Sequence, residues 1–209
     1  MSFEGFPVAA LDFYDDLEMD NTKSFWEAHK GVYAEAVKAP MTALTDALEA
    51  EFGKAKIFRP YRDVRFAKDK TPYKTHQGAF VHAGEATGWY IQIGAPGVLV
   101  GGGFYHAESA ALGRVRAAID DERRGAELQR LIRSLERKGF VLGGDTLKTS
   151  PRGYDAEHPR IELLRHKSLV MRADYGFDDL IHTPALLARV RRDWKALRPL
   201  VEWAQREIG

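Results

Sequence analysis

The sequence predicts an α+β fold: a single domain over residues 1–209, with a central antiparallel sheet flanked by N-terminal and C-terminal helices. Three observations carry this. Apolar residues recur at helical spacing near both ends. The middle of the chain switches to strand-like alternation. No Pro/Gly/Ser-rich linker, repeat or low-complexity tract interrupts the chain.

The elements follow in order. Pro7 suits the first turn of a helix, and Val8, Leu11, Tyr14 and Leu17 then form one apolar stripe. Asn21 can cap a second helix whose buried face carries Phe25, Trp26, His29, Val32 or Tyr33, and Val37. On that face His29 reads as a hydrogen-bonded core residue. Pro40 restarts a third helix with Met41, Leu44, Leu48 and Phe52 on one side, and Gly53 follows its end. Ile57–Phe66 reads as extended. Gly78–Ala83, Trp89–Ile93 and Val98–Tyr105 are short β-branched or aromatic runs between turn residues, an antiparallel meander with one buried face.

Helices then return. One carries Leu112, Val115 and Ile119. Another runs over Glu122–Lys138 and ends at Gly139. Phe140–Leu142 and Leu147–Thr149 read as short strands, Pro159–Leu164 as a helical turn or two, and Ser168–Arg172 as a strand. Thr183-Pro184 opens a last helix with Leu186, Leu187, Val190, Trp194 and Leu197 as its core stripe. Pro199 is expected to kink or restart it.

Composition excludes several classes of function. There is no cysteine, so there is no disulfide framework, thiolate metal site or catalytic thiol. The N-terminus lacks the basic and long apolar regions of a signal peptide. The most apolar stretch, Gly97–Tyr105, is far shorter than the ~20 residues that span a bilayer. The expectation is a cytoplasmic protein with no membrane partner.

The net charge of +1 conceals a strong asymmetry. Residues 1–53 carry a net charge of −8, residues 54–76 carry +6 and the remainder carries +3. A globally basic nucleic-acid protein is excluded, but a local anion site is not.

The densest chemistry lies in Arg62-Asp63-Val64-Arg65-Phe66-Ala67-Lys68-Asp69-Lys70-Thr71-Pro72-Tyr73-Lys74-Thr75-His76. If Arg62–Phe66 is extended, Asp63 and Arg65 share a face, and Asp63 can fix the Arg65 guanidinium for a carboxylate or phosphate. Lys68, Lys70 and Lys74 with Tyr73 among them suit a phosphate-bearing or nucleotide ligand, and Asp69 can orient the cations. A second cluster is Arg152-Gly153-Tyr154 with His158. Tyr154 and His158 are candidate proton donors or acceptors, and Arg152 is a candidate anion holder. Gly101-Gly102-Gly103 is neither a P-loop nor a dinucleotide fingerprint. It fits close approach of a neighbouring backbone or of a ligand, with Phe104, Tyr105 and His106 beside it. No H-E-x-x-H, H-x-H or G-x-S-x-G pattern is present, so no metal ligand set, cofactor or serine-hydrolase elbow is expected.

The Arg62–Lys74 block closely resembles the signature of a conserved family of bacterial and fungal proteins, a domain of unknown function. Further blocks of that family resemble Leu147–Asp155 with His158-Pro159 and Leu164–Ser168, Asn21–Trp26 with Tyr33, and Gly101–Phe104. The chain departs from the family's Trp-Phe order at Phe25-Trp26. The resemblance covers nearly the whole chain and implies a family-level role for these residues without naming a reaction.

Three readings remain open at this point. The two clusters can form one site for a small phosphate- or carboxylate-bearing molecule, with or without catalysis. The basic segment can instead serve a non-catalytic nucleic-acid- or protein-binding module. It can also be a structural ion-pair network. Oligomeric state is not legible.

Overall fold

The computed structural model describes residues 2–105 and 107–208. It is 48% helix and 21% strand, and among the described residues six strands form one antiparallel sheet, which is the mixed class that the sequence predicts. The chain divides into two compact units. Unit 1 comprises Met1–Val81, Tyr90–Val100 and Asp174–Arg192; unit 2 comprises His82–Trp89, Gly101–Ala173 and Asp193–Gly209. Every boundary falls inside a strand or helix, which is why no linker marks the division in the sequence.

In unit 1, helix α1 (Ala9–Met19) buries Leu11, Phe13, Tyr14 and Leu17. Val8 lies at its N-cap and is 58% exposed, so the buried stripe begins later than expected. Helix α2 (Lys23–Val32) is capped by Thr22, whose hydroxyl accepts from the Phe25 amide. Asn21, the expected cap, is committed elsewhere, as described below.

Pro40 does not restart a helix. The chain passes without a break from α2 through a π-helical stretch, Tyr33–Lys38, into α3 (Ala39–Asp46). There the Ala39 amide reaches back to Ala34 O. A proline has no N–H to give and its ring crowds the carbonyl four residues earlier. The wider π turn immediately upstream accommodates both defects. A short α4 (Glu49–Phe52) ends at Gly53, whose φ of +100° suits the residue after a helix.

The sheet order is β1 (Ala55–Ile57), β2 (His76–Gly84), β3 (Thr87–Gly94), β4 (Gly97–Phe104), β6 (Leu169–Gly176), β5 (Val141–Gly143). Trp89, Ile91 and Ile93 alternate inward on β3 as their spacing predicts. β4 differs from the one-faced strand expected: its end is buried on both faces. A Cβ at Gly102 would stand 3.3 Å from side-chain carbons of Leu197 and Val201, and one at Gly103 would stand 2.3 Å from Leu169 O. Close approach of protein atoms therefore accounts for the glycine run. His106 lies outside the described residues, Phe104 is buried, and Tyr105 is partly exposed with its ring edge-on to His82.

Unit 2 holds α5 (Ser109–Asp120), α6 (Glu122–Glu136), a single helical turn α7 (Ile161–Leu164) and the larger part of α8 (Ala185–Ile208). Leu147–Thr149 forms no strand; only a bridge between Thr146 and His166 stands there. Helix α8 carries Pro199 inside it without restarting. Trp194 and Trp203, both fully buried, are the largest core side chains of this unit. No helix among the described residues is long and apolar enough to cross a membrane.

Candidate functional site

The basic segment is not extended beyond Ile57. It forms a loop closed at its base and braced inside. At the base, the Arg62 amide donates to Pro72 O and the Lys74 amide to Pro60 O, both at 2.8 Å, and Tyr61 bridges Tyr73. Inside, Asp63 takes the Arg65 guanidinium in a two-pronged grip at 3.0 and 2.7 Å. Lys70 Nζ donates to Val64 O at 2.9 Å. Asp69 accepts from the Thr71 amide at 2.9 Å and from Arg62 Nη1, which also meets the Thr71 hydroxyl. Aspartates that bond backbone two residues ahead turn the chain rather than extend it, and this overrides the strand reading.

Arg62 and the Thr71 amide and hydroxyl pull the Asp69 carboxyl down to about 2. An ordinary aspartate titrates at about 4, so this brace is complete above that pH and is lost as pH falls through about 2. The Thr71 amide resonance is expected to move across that acid window. A flat Thr71 titration, followed by NMR, would contradict the assignment.

The base of the loop is anchored on α2. Asn21 Oδ1 accepts from the Tyr73 amide and its Nδ2 donates to Tyr73 O, both at 3.0 Å. The Tyr73 ring lies flat on Trp26, with centroids 4.4 Å apart and planes 9° apart. Trp26 in turn packs against Phe13 and Tyr33. The Tyr33 hydroxyl donates to Gln77, whose amide donates to Phe58 O and Gly78 O and fixes the start of β2. Tyr73 thus acts as a positioning residue for its neighbour Lys74.

Beside this anchor lies an open groove of about 510 Å³. Four of the candidate residues, Arg62, Asp69, Tyr73 and Lys74, line part of it, with Thr71 of the same block. Asp63, Arg65, Lys68 and Lys70 do not line it; they belong to the loop beyond. Glu18, Asn21, Thr75 and His76 complete the lining. Thr75 and His76 close the dense basic segment and Asn21 reads as a helix cap, none of them assigned a site role, and Glu18 is the one that sequence reasoning missed. The dense basic segment pointed towards Thr75 and His76 and the family-like Asn21–Trp26 block towards Asn21, whereas Glu18 joins them only through the fold.

The groove is electrostatically uneven. Lys74 Nζ lies 5.2 Å from the centre of the Phe58 ring and has no carboxylate partner among the described residues. Its pKa is lowered by burial and then by Arg59. His76 is lowered by burial and then by Lys74, so its imidazole is uncharged at neutral pH. Arg62 spends Nη1 on Asp69 and Thr71. Its Nε and Nη2 edge has no partner among the described residues. An unpaired ammonium and an oriented guanidinium edge are what a carboxylate or phosphate requires.

The second cluster lies in unit 2 and is partnered there. The Arg160 amide donates to His158 Nδ1 at 3.0 Å, so that nitrogen offers a lone pair and the ring proton sits on Nε2. Nε2 faces Asp120 Oδ1 at 3.0 Å. The Tyr154 ring stands edge-on to His158, and its hydroxyl pKa is raised by burial and then by Asp120. The Arg160 guanidinium donates to Ile119 O and Asp120 O, closing the last turn of α5. Both nitrogens of His158 are therefore engaged at the end of a helix. Arg152 is exposed. The Arg62–Lys74 loop belongs to unit 1. His29, expected in the core, is half-buried, stacked on Phe25 and bonded to its carbonyl. Among the described residues no three His, Asp or Glu side chains are grouped to hold a metal ion.

The model of a family of conserved hypothetical proteins, DUF2461, matches residues 9–203. The chain belongs to this family. The match spans the braced loop, its anchor on α2 and the His158 cluster, so the DUF2461 region contains both candidate sites. A search of curated proteins found no match.

Proposed function

We propose that the protein binds a small phosphate- or carboxylate-bearing molecule in the groove of unit 1. The observation that carries this reading is Lys74: a partly desolvated ammonium with no carboxylate partner among the described residues, lining the same groove as Arg62. Most other cations of the loop have partners. Arg65 is held by Asp63 and Lys70 by backbone carbonyls, as in a structural network. A network accounts for those two residues but leaves Lys74 without a role. An anion placed between Lys74 and Arg62 would relieve the desolvated charge and gain two charge-assisted contacts. Uncharged His76 would stand beside that anion as a proton acceptor.

The test is a thermal-shift titration of wild type and Lys74→Ala with pyrophosphate and with citrate at constant ionic strength. Saturating ligand raises the stability of the wild type by about 3–4 kcal/mol at 100–1,000 times Kd. Lys74→Ala is expected to weaken binding at least ~10-fold, in line with loss of one charged hydrogen bond. No shift for either anion at millimolar concentration would overturn the reading.

A further inference from the structure

We infer that the anion in this groove is the phosphate end of a nucleotide whose base stacks on Phe66, an inference that rests on the groove being an anion site. Phe66 is the most exposed large apolar side chain among the described residues, at 96%. It stands on the loop between Arg65 and Lys68, and nothing among the described residues covers it. A solvent-exposed phenyl ring forgoes the whole benefit of burial, and a polar residue would serve a plain turn as well.

The ring is not carried on a slack segment. The Asp63–Arg65 grip lies just before it, the Lys70–Val64 bond spans it, and the Asp69 turn closes the loop. The two feet of that loop, Arg62 and Asp69, are themselves groove residues. Phe66 is four residues from one and three from the other. Chain geometry therefore holds its Cα within about 14 Å of Arg62 and about 11 Å of Asp69. A ring within that reach of the Arg62 foot is near enough for one nucleotide to place its phosphate in the groove and its base on Phe66.

An aromatic face accepts any base, because every base presents a π surface. The Arg65 guanidinium beside it is oriented by Asp63 and can lie against the same base. One ring and one short groove suit a single nucleotide. A strand calls for successive aromatic platforms along a basic track.

The experiment compares ADP with pyrophosphate by isothermal calorimetry on wild type, Phe66→Ala and Lys74→Ala. Phe66→Ala removes only exposed surface, so the fold is retained. ADP is expected to bind wild type about 10-fold more tightly than pyrophosphate does, the range of one stacked base. Phe66→Ala should reduce ADP to the pyrophosphate level and leave pyrophosphate unchanged. Lys74→Ala should weaken both. Equal wild-type affinities, or an ADP advantage that survives in Phe66→Ala, would overturn the inference while leaving the groove an anion site. Failure of both ligands would overturn the two readings together. Phe66-dependent binding to a single-stranded oligonucleotide or to phosphatidylserine vesicles, without an ADP advantage, would overturn it in favour of a strand or a membrane surface.

Discussion

Trp26→Ala is expected to cost about 3–5 kcal/mol, the usual range for emptying an aromatic core position. Trp26 is 4% exposed and carries Tyr73 flat on its face, with Phe13 edge-on and Tyr33 tilted against it. For a chain of this size that corresponds to a fall in Tm on the order of 10 °C. The loss should not stop at stability. Tyr73 is released together with its neighbour Lys74, so pyrophosphate binding should weaken below the unfolding transition too. Scanning calorimetry with and without pyrophosphate separates the two effects. A variant that melts early but binds as wild type would show that the stack supports the core alone.

Asn21→Ala should give the second large effect. One side chain satisfies both the N–H and the C=O of Tyr73. Removing it leaves two part-buried backbone groups to find water, at about 1–3 kcal/mol each. Asn21→Asp is the sharper probe. Its carboxylate still accepts from the Tyr73 amide but sets a second oxygen against the Tyr73 carbonyl. It should therefore destabilise, although it differs from asparagine by only one group. Denaturant unfolding measures both variants; wild-type stability in Asn21→Asp would contradict the two-way bond.

Much of the fold was legible because helix and strand periods leave plain traces. The alternation of Trp89, Ile91 and Ile93 and the stripe ending in Trp194 and Leu197 are direct consequences of burial on one face. Elements whose form depends on distant partners were not legible. Thr22 rather than Asn21 caps α2 because Asn21 is taken by a residue 52 positions away. The Arg62–Phe66 run curls because Asp63 and Asp69 bond to nearby backbone and arginine groups, and its alternating letters hide that.

The candidate site divides in the same way. Charge density located the loop. It could not distinguish cations with a local partner, Arg65 and Lys70, from Lys74, which has none. His76 closes the dense basic segment but received no role there, because it opens a strand with no charged neighbour closer than Lys74. Only the fold brings it beside the groove.

The π-helical stretch Tyr33–Lys38 fixes the angular phase between two halves of one rod. A π turn holds an additional residue compared with an α turn, and each residue of an α-helix advances about 100°. Loss of one residue here would turn Trp26, the floor beneath Tyr73, about 100° away from Met41 and Leu44, the core face of α3. Surface loops absorb insertions and deletions freely. This stretch does not, because its length in residues is a gauge that sets the direction in which the groove faces.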